Sequence, residues 1–401
     1  MAFAVFIVDI LTVFNKKNGV YARRDTLNKM SNGNNNPISI FLRNNYPYKL
    51  KLKLIDEVPE QFQIRDMYFA IELDKNRTTE IKYELKPVKR GNYNFGAVNV
   101  FAYGFFRLTA KRYKFSQDID VPVYPSFMQM RKYELMAISD RLTEIGVKKI
   151  RKIGHDLEFD QIRNYVIGDD YRHINWKATA RRGNIMVNQY RDESSQRVYS
   201  LIDTGRVMKM PFKNMSLLDY SINASLVISN IAMLKYDKSG VFTFSNKVHN
   251  TLPASSRKGH INKVMELLYD QDYNFLESDF ERLYVHVKRK VSQRSLFLLF
   301  SNFETLSGLR RQLPYLRFLA KDHVLVVIFF INTELQEMMH YKAETVEAIY
   351  KNTIAEKFMY EKKQIVKELK QYGIYSILTE PENLTINTIN KYLEFKARGM
   401  V

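Results

Sequence analysis

The chain has 401 residues, 45% of them hydrophobic, which is long for one ordinary domain and enough to bury the cores of two. It has no cysteine, which excludes disulfides, thiol catalysis and cysteine-based metal sites. Sixty-two Lys and Arg against forty-three Asp and Glu leave a formal charge of +19, which admits nucleic acid, anionic lipid or acidic protein as partners; the basic residues are spread along the chain and accompany no nucleic-acid module, so specific nucleic-acid recognition is not expected.

Residues 1–14 are apolar except for Asp9 and Thr12. The run is shorter than the roughly 20 residues of a spanning helix, and it lacks the basic start and small-residue cleavage site of a secretory signal. Lys16, Lys17, Arg23 and Arg24 follow, a cluster that favours the cytoplasmic side of a membrane. A membrane segment is therefore one expectation for residues 1–14, and a first strand or frayed terminus the other.

From 20 to 125 the period is two, strictly so in Lys49-Leu50-Lys51-Leu52-Lys53-Leu54, with Asn/Gly/Pro turn signals between short runs. This predicts an all-β sandwich that serves as a spacer and carries no chemistry. A helix is expected over 126–142, leading into a distinctive segment at 154–193 that ends the linking region 126–195.

That segment holds Glu158-Phe159, Arg163, Tyr165, Gly168-Asp169-Asp170, Arg172, Asn175-Trp176-Lys177, Arg181 and Glu193, among them the chain's one tryptophan. Acids and bases in near balance, interleaved with apolar residues, point to a paired-charge network or a protein-binding surface; Trp176 is expected as a core residue that locks the segment onto a domain, with an exposed interface anchor as the alternative. His155, Glu158, Asp169, Asp170 and His173 could in principle serve acid–base chemistry, but no phosphate loop or nucleophile elbow accompanies them.

Beyond it, 196–401 alternates helices with strands that are apolar throughout, at 198–202, 241–244, 296–300 and 324–330. Helices are expected at 217–235, 261–269, 309–319 and 343–372. Strands covered on both faces read this way, and the alternation predicts a mainly parallel sheet whose ligands bind at its carboxyl edge.

The order and spacing of Glu158-Phe159, Ile162-Arg163-Asn164-Tyr165, Gly168-Asp169-Asp170, Arg172, Ile174-Asn175-Trp176-Lys177-Ala178 and Ala180-Arg181 resemble family fifty-eight of the domains of unknown function, a set of von Willebrand factor A-like bacterial proteins. Lys89-Arg90-Gly91-Asn92-Tyr93 and Val121-Pro122-Val123-Tyr124-Pro125 resemble turns of that family's β-rich domain, and Asn390-Lys391-Tyr392-Leu393-Glu394 its closing helix. The resemblance implies an α+β multidomain chain: an N-terminal β-sandwich, then a von Willebrand A-like α/β domain. It also implies a MoxR-type AAA+ ATPase as partner, association with other von Willebrand A-like membrane proteins, and a pair of membrane helices ahead of the β-rich domain, of which residues 1–14 look like the remnant of the second. Inner-membrane association with the bulk on the cytoplasmic side follows, or a cytoplasmic protein if no anchor exists.

In the fold that the resemblance implies, the first strand ends Asp-x-Ser-x-Ser and, with a Thr and an Asp from later loops, holds Mg²⁺ through oxygen ligands. Here Asp203 stands at the first ligand position, Gly205 and Val207 at the two serine positions, and Ser301-Asn302 at the Thr-Asp pair. This predicts a degenerate site with no cofactor, in which Asp203 accepts backbone N–H groups and Arg206 supplies a positive charge for an anionic side chain. The expected function is a non-enzymatic interaction scaffold or adaptor with no small-molecule substrate. The alternatives are a metal-dependent adhesion module or hydrolase using Asp203 and the Glu158/Asp169 cluster, and a basic binder of nucleic acid or anionic lipid.

Overall fold

The computed structural model describes residues 2–65, 67–116, 118–138, 146, 158–191, 195–335 and 345–400. The chain forms two compact units, one of Met1–Lys132, Met210–Leu226 and Met265–Asp272, the other of Tyr133–Lys209, Val227–Val264 and Tyr273–Val401.

The first unit opens with helix α1 (Ala2–Phe14) and continues through strands β1 (Val20–Asp25), β2 (Met30–Ser31), β3 (Asn36–Asn44), β4 (Leu50–Asp56), β5 (Tyr68–Leu73), β6 (Thr78–Leu85), β7 (Gly91–Phe95), β8 (Val98–Tyr103), β9 (Ala110–Phe115) and β10 (Ile119–Tyr124). Antiparallel sheets β1-β3-β6 and β5-β4-β8-β9 share one core, in which Ile40 and Leu42 meet Leu52, Leu54, Val98 and Val100. The alternation of β4 puts Leu50, Leu52 and Leu54 inward and Lys51 outward, as its period dictates. A third sheet, β2-β10-β7, packs Met30, Tyr93, Phe95, Val121 and Val123.

Arg24, expected among the membrane-side cations, is instead inside this unit. The pleat of β1 turns it inward, where it is ion-paired with Asp56 and donates to the Gly96 carbonyl, and Tyr83 donates to the same Asp56. The expected boundary at 196 also shifts, because 210–226 and 265–272 belong with the β-rich residues. Arg90 makes that join: its side chain is buried, ion-paired with Asp219 at 3.1 Å, and donates to the carbonyls of Leu268 and Gln271. A guanidinium so enclosed needs all of these partners.

The chain then forms α2 (Phe127–Ile138), β11 (Glu158–Asn164), α3 (Trp176–Arg182), β12 (Met186–Arg191), β13 (Arg197–Asp203), the short hairpin β14 (Pro211–Phe212) and β15 (Met215–Ser216), α4 (Leu217–Leu234), β16 (Lys238–Phe244), β17 (Val248–Ser255), α5 (His260–Tyr269), α6 (Phe280–Lys290), β18 (Leu296–Phe300), α7 (Leu306–Asp322), β19 (Val324–Phe330), α8 (Val346–Gln371), β20 (Tyr375–Thr379) and α9 (Leu384–Ala397). Residues 139–142 of the expected helix and 343–344 of the long one lie outside the described residues.

The large sheet runs β17-β16-β13-β18-β19-β20, parallel except for the antiparallel edge strand β17. Its central strands β13, β18 and β19 are buried throughout except at Arg197, because both faces are covered. One face packs Tyr199, Phe242, Phe297 and Val327 against Leu283 of α6, Leu316 of α7 and Ile365 of α8. The order of strands reverses around β13, so the carboxyl ends of β13 and β18 flank a topological switch point. Among the described residues one helix, α4, is long and apolar enough to cross a membrane; 83% of it is buried in the protein, which makes it a core helix.

Candidate functional site

Two places concentrate the residues that the sequence singles out: the carboxyl edge of the large sheet, and the segment between β11 and β12.

At the sheet edge, Asp203 ends β13 fully buried. Its Oδ1 accepts the Gly205 N–H at 2.8 Å and the Ser278 hydroxyl; its Oδ2 accepts the Ser301 hydroxyl at 2.6 Å. Burial pushes its carboxyl above the usual aspartate range, against the pull of those three donors. Both oxygens thus already accept hydrogen bonds from the protein. A Cβ on Gly205 would run into the Ser278 hydroxyl, so the missing side chain at 205 is the space that Ser278 fills. Val207 offers no oxygen, and Asn302 turns its Oδ1 to the Nζ of Lys362 at 2.7 Å.

Lys362 is the residue that sequence reasoning misses here. It lies on α8 in the register of Ala355, Ile365 and Leu369, a core stripe, and is buried with them. A lysine at that spacing is the available signal. Burial holds its amino group down to about 8, with the charge of Glu304 pulling the other way. Arg206, the expected contact for an anionic side chain, follows β13 with its side chain exposed and faces Glu277 at 3.4 Å. The donor set does not fit Mg²⁺, and among the described residues no three of His, Cys, Asp and Glu gather so as to hold a metal ion. Asp203 and Asp169, paired in the hydrolase alternative, are engaged separately.

The segment is a hairpin with an excursion. Strands β11 and β12 pair antiparallel, with a bulge between Phe159 and Gln161. Between them Arg163 grips Asp169 through two hydrogen bonds of 2.6 and 2.7 Å, and Asp169 also accepts the Val166 N–H at 2.9 Å. These bonds hold the Asp169 carboxyl below its ordinary range, the arginine being the larger cause. Gly168 closes the turn at φ +110°, a conformation that favours glycine. Asp170 accepts the Arg172 N–H and caps the single 3-10 turn Tyr171–His173.

Asn175 caps α3 by accepting the Ala178 N–H at 3.0 Å and reaches across to Asn188 on β12 at 2.8 Å. Thr179, which sequence reasoning does not single out, accepts the Met186 N–H at 3.0 Å. The two-turn helix is thereby stapled to β12 through residues 175 and 179, and Trp176 and Lys177, next after the cap, face away. This corrects the expectation for Trp176, which is 71% exposed. Tyr165 is half-buried, and its N–H bonds the Ile185 carbonyl at 2.8 Å.

Around Trp176 the segment also exposes Ile167 (97%), Tyr171 (71%) and Val166 (60%). Arg172, Lys177, Arg181 and Arg182 are exposed with them. From Gln161 to Gln189 five Arg or Lys stand beside Asp169 and Asp170, and the segment's other acids, at 156, 158, 160, 192 and 193, lie where side chains are not described. The side chains of Glu158 and Phe159, and all of His155 and Glu193, lie outside the described residues.

The family model described as "Protein of unknown function DUF58" matches residues 161–340. The uncharacterized protein YeaD of Bacillus subtilis (strain 168) is 29% identical over 174 residues, which span 41% of this chain and 43% of that protein. Among solved structures, the conserved hypothetical protein BatB from Bacteroides thetaiotaomicron is similar over 51% of this chain and 100% of that one, at 11% identity and a TM-score of 0.33. The CARDB domain of the PF1109 protein from Pyrococcus furiosus is similar over 26% of this chain and 86% of that one, at 10% identity and a TM-score of 0.20. At those scores the fold rests on the strand order itself. The resemblance read from Arg163, Asp169, Arg172, Trp176, Lys177 and Arg181 is that of the DUF58 family, whose model covers all six.

Proposed function

We propose that the second unit is a von Willebrand A-like domain and that the protein is a non-enzymatic scaffold or adaptor, which docks a MoxR-type AAA+ ATPase at the cytoplasmic face of a bacterial membrane during assembly or maturation of other proteins. The strand order β17-β16-β13-β18-β19-β20, with its antiparallel edge, supports the domain reading. One observation carries the functional reading: the 161–189 segment uses its polar groups internally, in the Arg163–Asp169 clasp and the Asn175 and Thr179 staples, while Val166, Ile167, Tyr171 and Trp176 face outward. A surface held rigid before binding loses little freedom on binding, and large aromatic anchors dominate interface energies. The exposed Arg172, Lys177, Arg181 and Arg182 suit an acidic partner face and speed encounter with it.

Affinity capture from the native host, with wild type beside Trp176→Ala and Ile167→Ser, tests this. The wild type should retain an AAA+ ATPase and the variants should lose it, with melting temperatures unchanged. Repeated capture without such an ATPase removes the partner; equal capture by the variants removes the surface.

A further inference from the structure

The large sheet has an opposite edge, where its parallel strands begin, and basic residues line it from strand to strand. Arg197 opens β13 beside Lys238 of β16, and Arg294 stands two residues before β18. Antiparallel β17 ends at the same level, Ser255 beside Ser239, and Arg257 and Lys258 follow it. The run Lys288-Arg289-Lys290 ends α6, and Lys321 lies in the last turn of α7. The acids in the connections that reach this edge, 235–238, 256–258, 288–295, 321–323 and 370–374, are Asp237 and Asp322. Asp237 is buried and taken by Lys396, which leaves Asp322 as the exposed acid.

Helix ends explain part of this. Cations in a last turn complement the carbonyl end of a helix, which accounts for those of α6 and α7. Arg197, Lys238 and Arg294 end no helix. Arg257 and Lys258 stand just ahead of α5, at the helix end where a positive charge is unfavourable.

Tyr236 lies among these cations, between Lys235 and Lys238. Its N–H bonds the Met233 carbonyl at 3.1 Å, and the Asp237 N–H bonds that of Ala232 at 2.9 Å, the pair of bonds that closes a helix on a left-handed residue. That residue is Tyr236, at φ +64°. Glycine or asparagine usually takes such a place, and a bulky side chain there is strained. The fold gives the ring little in return, since the residue is 85% exposed.

We propose that this edge is a docking face for an acidic protein surface, with Tyr236 as its anchor. Charge complementarity sets the class of partner, and an exposed tyrosine held in a costly backbone conformation marks the point of contact. Tyrosine and arginine are the side chains that interface hot spots favour. The edge crosses six strands at about 4.8 Å each, so its charge is spread over a broad face and follows no groove that a nucleic-acid strand could track. Val291 and Ile374, the aliphatic residues of these connections, are buried, which leaves none to enter a bilayer. The face extends the adaptor reading, since an adaptor joins two proteins, but it stands without the ATPase and without the 161–189 segment.

Fluorescence anisotropy of a labelled poly-glutamate peptide, titrated with the full chain, tests the face. The wild type should bind, more weakly as salt rises. Arg257→Glu/Lys258→Glu/Arg294→Glu should bind at least about tenfold less with an unchanged melting temperature. Lys75→Glu/Arg77→Glu/Lys86→Glu makes the same change of net charge on exposed residues of the β-rich unit and should lose less than about twofold. Tyr236→Gly should bind about threefold less, yet melt no lower than wild type, because glycine relieves the left-handed position. Failure of the wild type to bind overturns the proposal, as do equal losses in the two triple variants, which would show net charge at work and not this face. Wild-type affinity in Tyr236→Gly overturns the anchor. Tighter binding of single-stranded DNA or of phosphatidylserine vesicles, lost in the first triple variant, would give the face to another class of partner and overturn the proposal too. Trp176→Ala should bind the peptide as wild type does, so loss of ATPase capture in that variant leaves this face standing.

Discussion

The Nζ of Lys362 donates to Oδ1 of Asn302 at 2.7 Å with both residues buried, so the carboxyl edge of the large sheet carries a cation of its own. This amine has a measurable consequence. Its folded value of about 8 lies below the usual 10.5, so the unfolded chain binds the proton more tightly between those values. The contribution to stability is full above about 10.5 and is lost as pH falls through about 8. Lys362→Met removes the titrating group. We expect the stability difference between variant and wild type to shift by roughly 2–3 kcal/mol between pH 7 and pH 10 in the variant's disfavour, read from denaturant midpoints. A difference that stays constant across that window would show that the amine is not desolvated in the folded protein.

Gly205 tests the same edge from the other side. If the site were a metal centre lacking one ligand, Gly205→Ser would restore an oxygen. The geometry says otherwise, since the new Cβ meets the Ser278 hydroxyl and lies 3.0 Å from Oδ1 of Asp203. We expect Gly205→Ser to cost about 1–3 kcal/mol, as overpacking does, and Gly205→Ser/Ser278→Ala to recover a large part of it. Millimolar Mg²⁺ should leave the melting temperature of wild type and variants unmoved. A rise of several degrees would mean that Asp203 is free to bind an ion.

How far the sequence reveals this protein depends on whether a feature is periodic. The strands at 296–300 and 324–330 are readable because burial on both faces demands an unbroken apolar run. Strand β17 escapes notice because, as the edge, it is half exposed and contains Pro253; β20 is half-buried and equally unmarked. Helix α6 is visible in retrospect from the Asp279 cap and the 280/283/287 stripe, which the basic run at 288–290 obscures. The candidate site is legible in residue type and not in direction. The order of Arg163, Asp169 and Trp176 marks the segment, but which way Trp176 points is decided by Thr179 and Asn188, residues with no special pattern of their own.

Asp237 shows the same limit for ion pairs distant in sequence. It is buried beside the start of β16 and receives Lys396 of α9 on both oxygens at 2.8 Å, together with the Tyr392 hydroxyl and the Gln196 N–H. Lys396 also caps the Lys235 carbonyl at 2.8 Å. Removing one partner strands the other charge away from water. Asp237→Asn should therefore cost about 3 kcal/mol in a denaturant titration, and Asp237→Asn/Lys396→Met considerably less. Equal losses in the single and double variants would mean that the pair is not coupled.

The clasp between Arg163 and Asp169 links local structure to the proposed surface, and it separates folding from function. Both side chains are partly exposed, so Asp169→Asn should leave the global unfolding midpoint unchanged. Locally it removes the charge-assisted bonds that order residues 163–169, next to the outward-facing Ile167. Faster hydrogen exchange at the Val166 amide should follow, with loss of ATPase capture comparable to that of Trp176→Ala. The pH dependence has a definite sign. Because the Asp169 carboxyl is held below its usual 3.8, the clasp is intact above that value and opens only as pH falls through the lowered one. Protection of the Val166 amide should therefore persist at pH 3.8, where an unpaired aspartate is half protonated. If protection is half lost there, or if Asp169→Asn retains full capture despite a loosened turn, order in this turn is not what presents the surface.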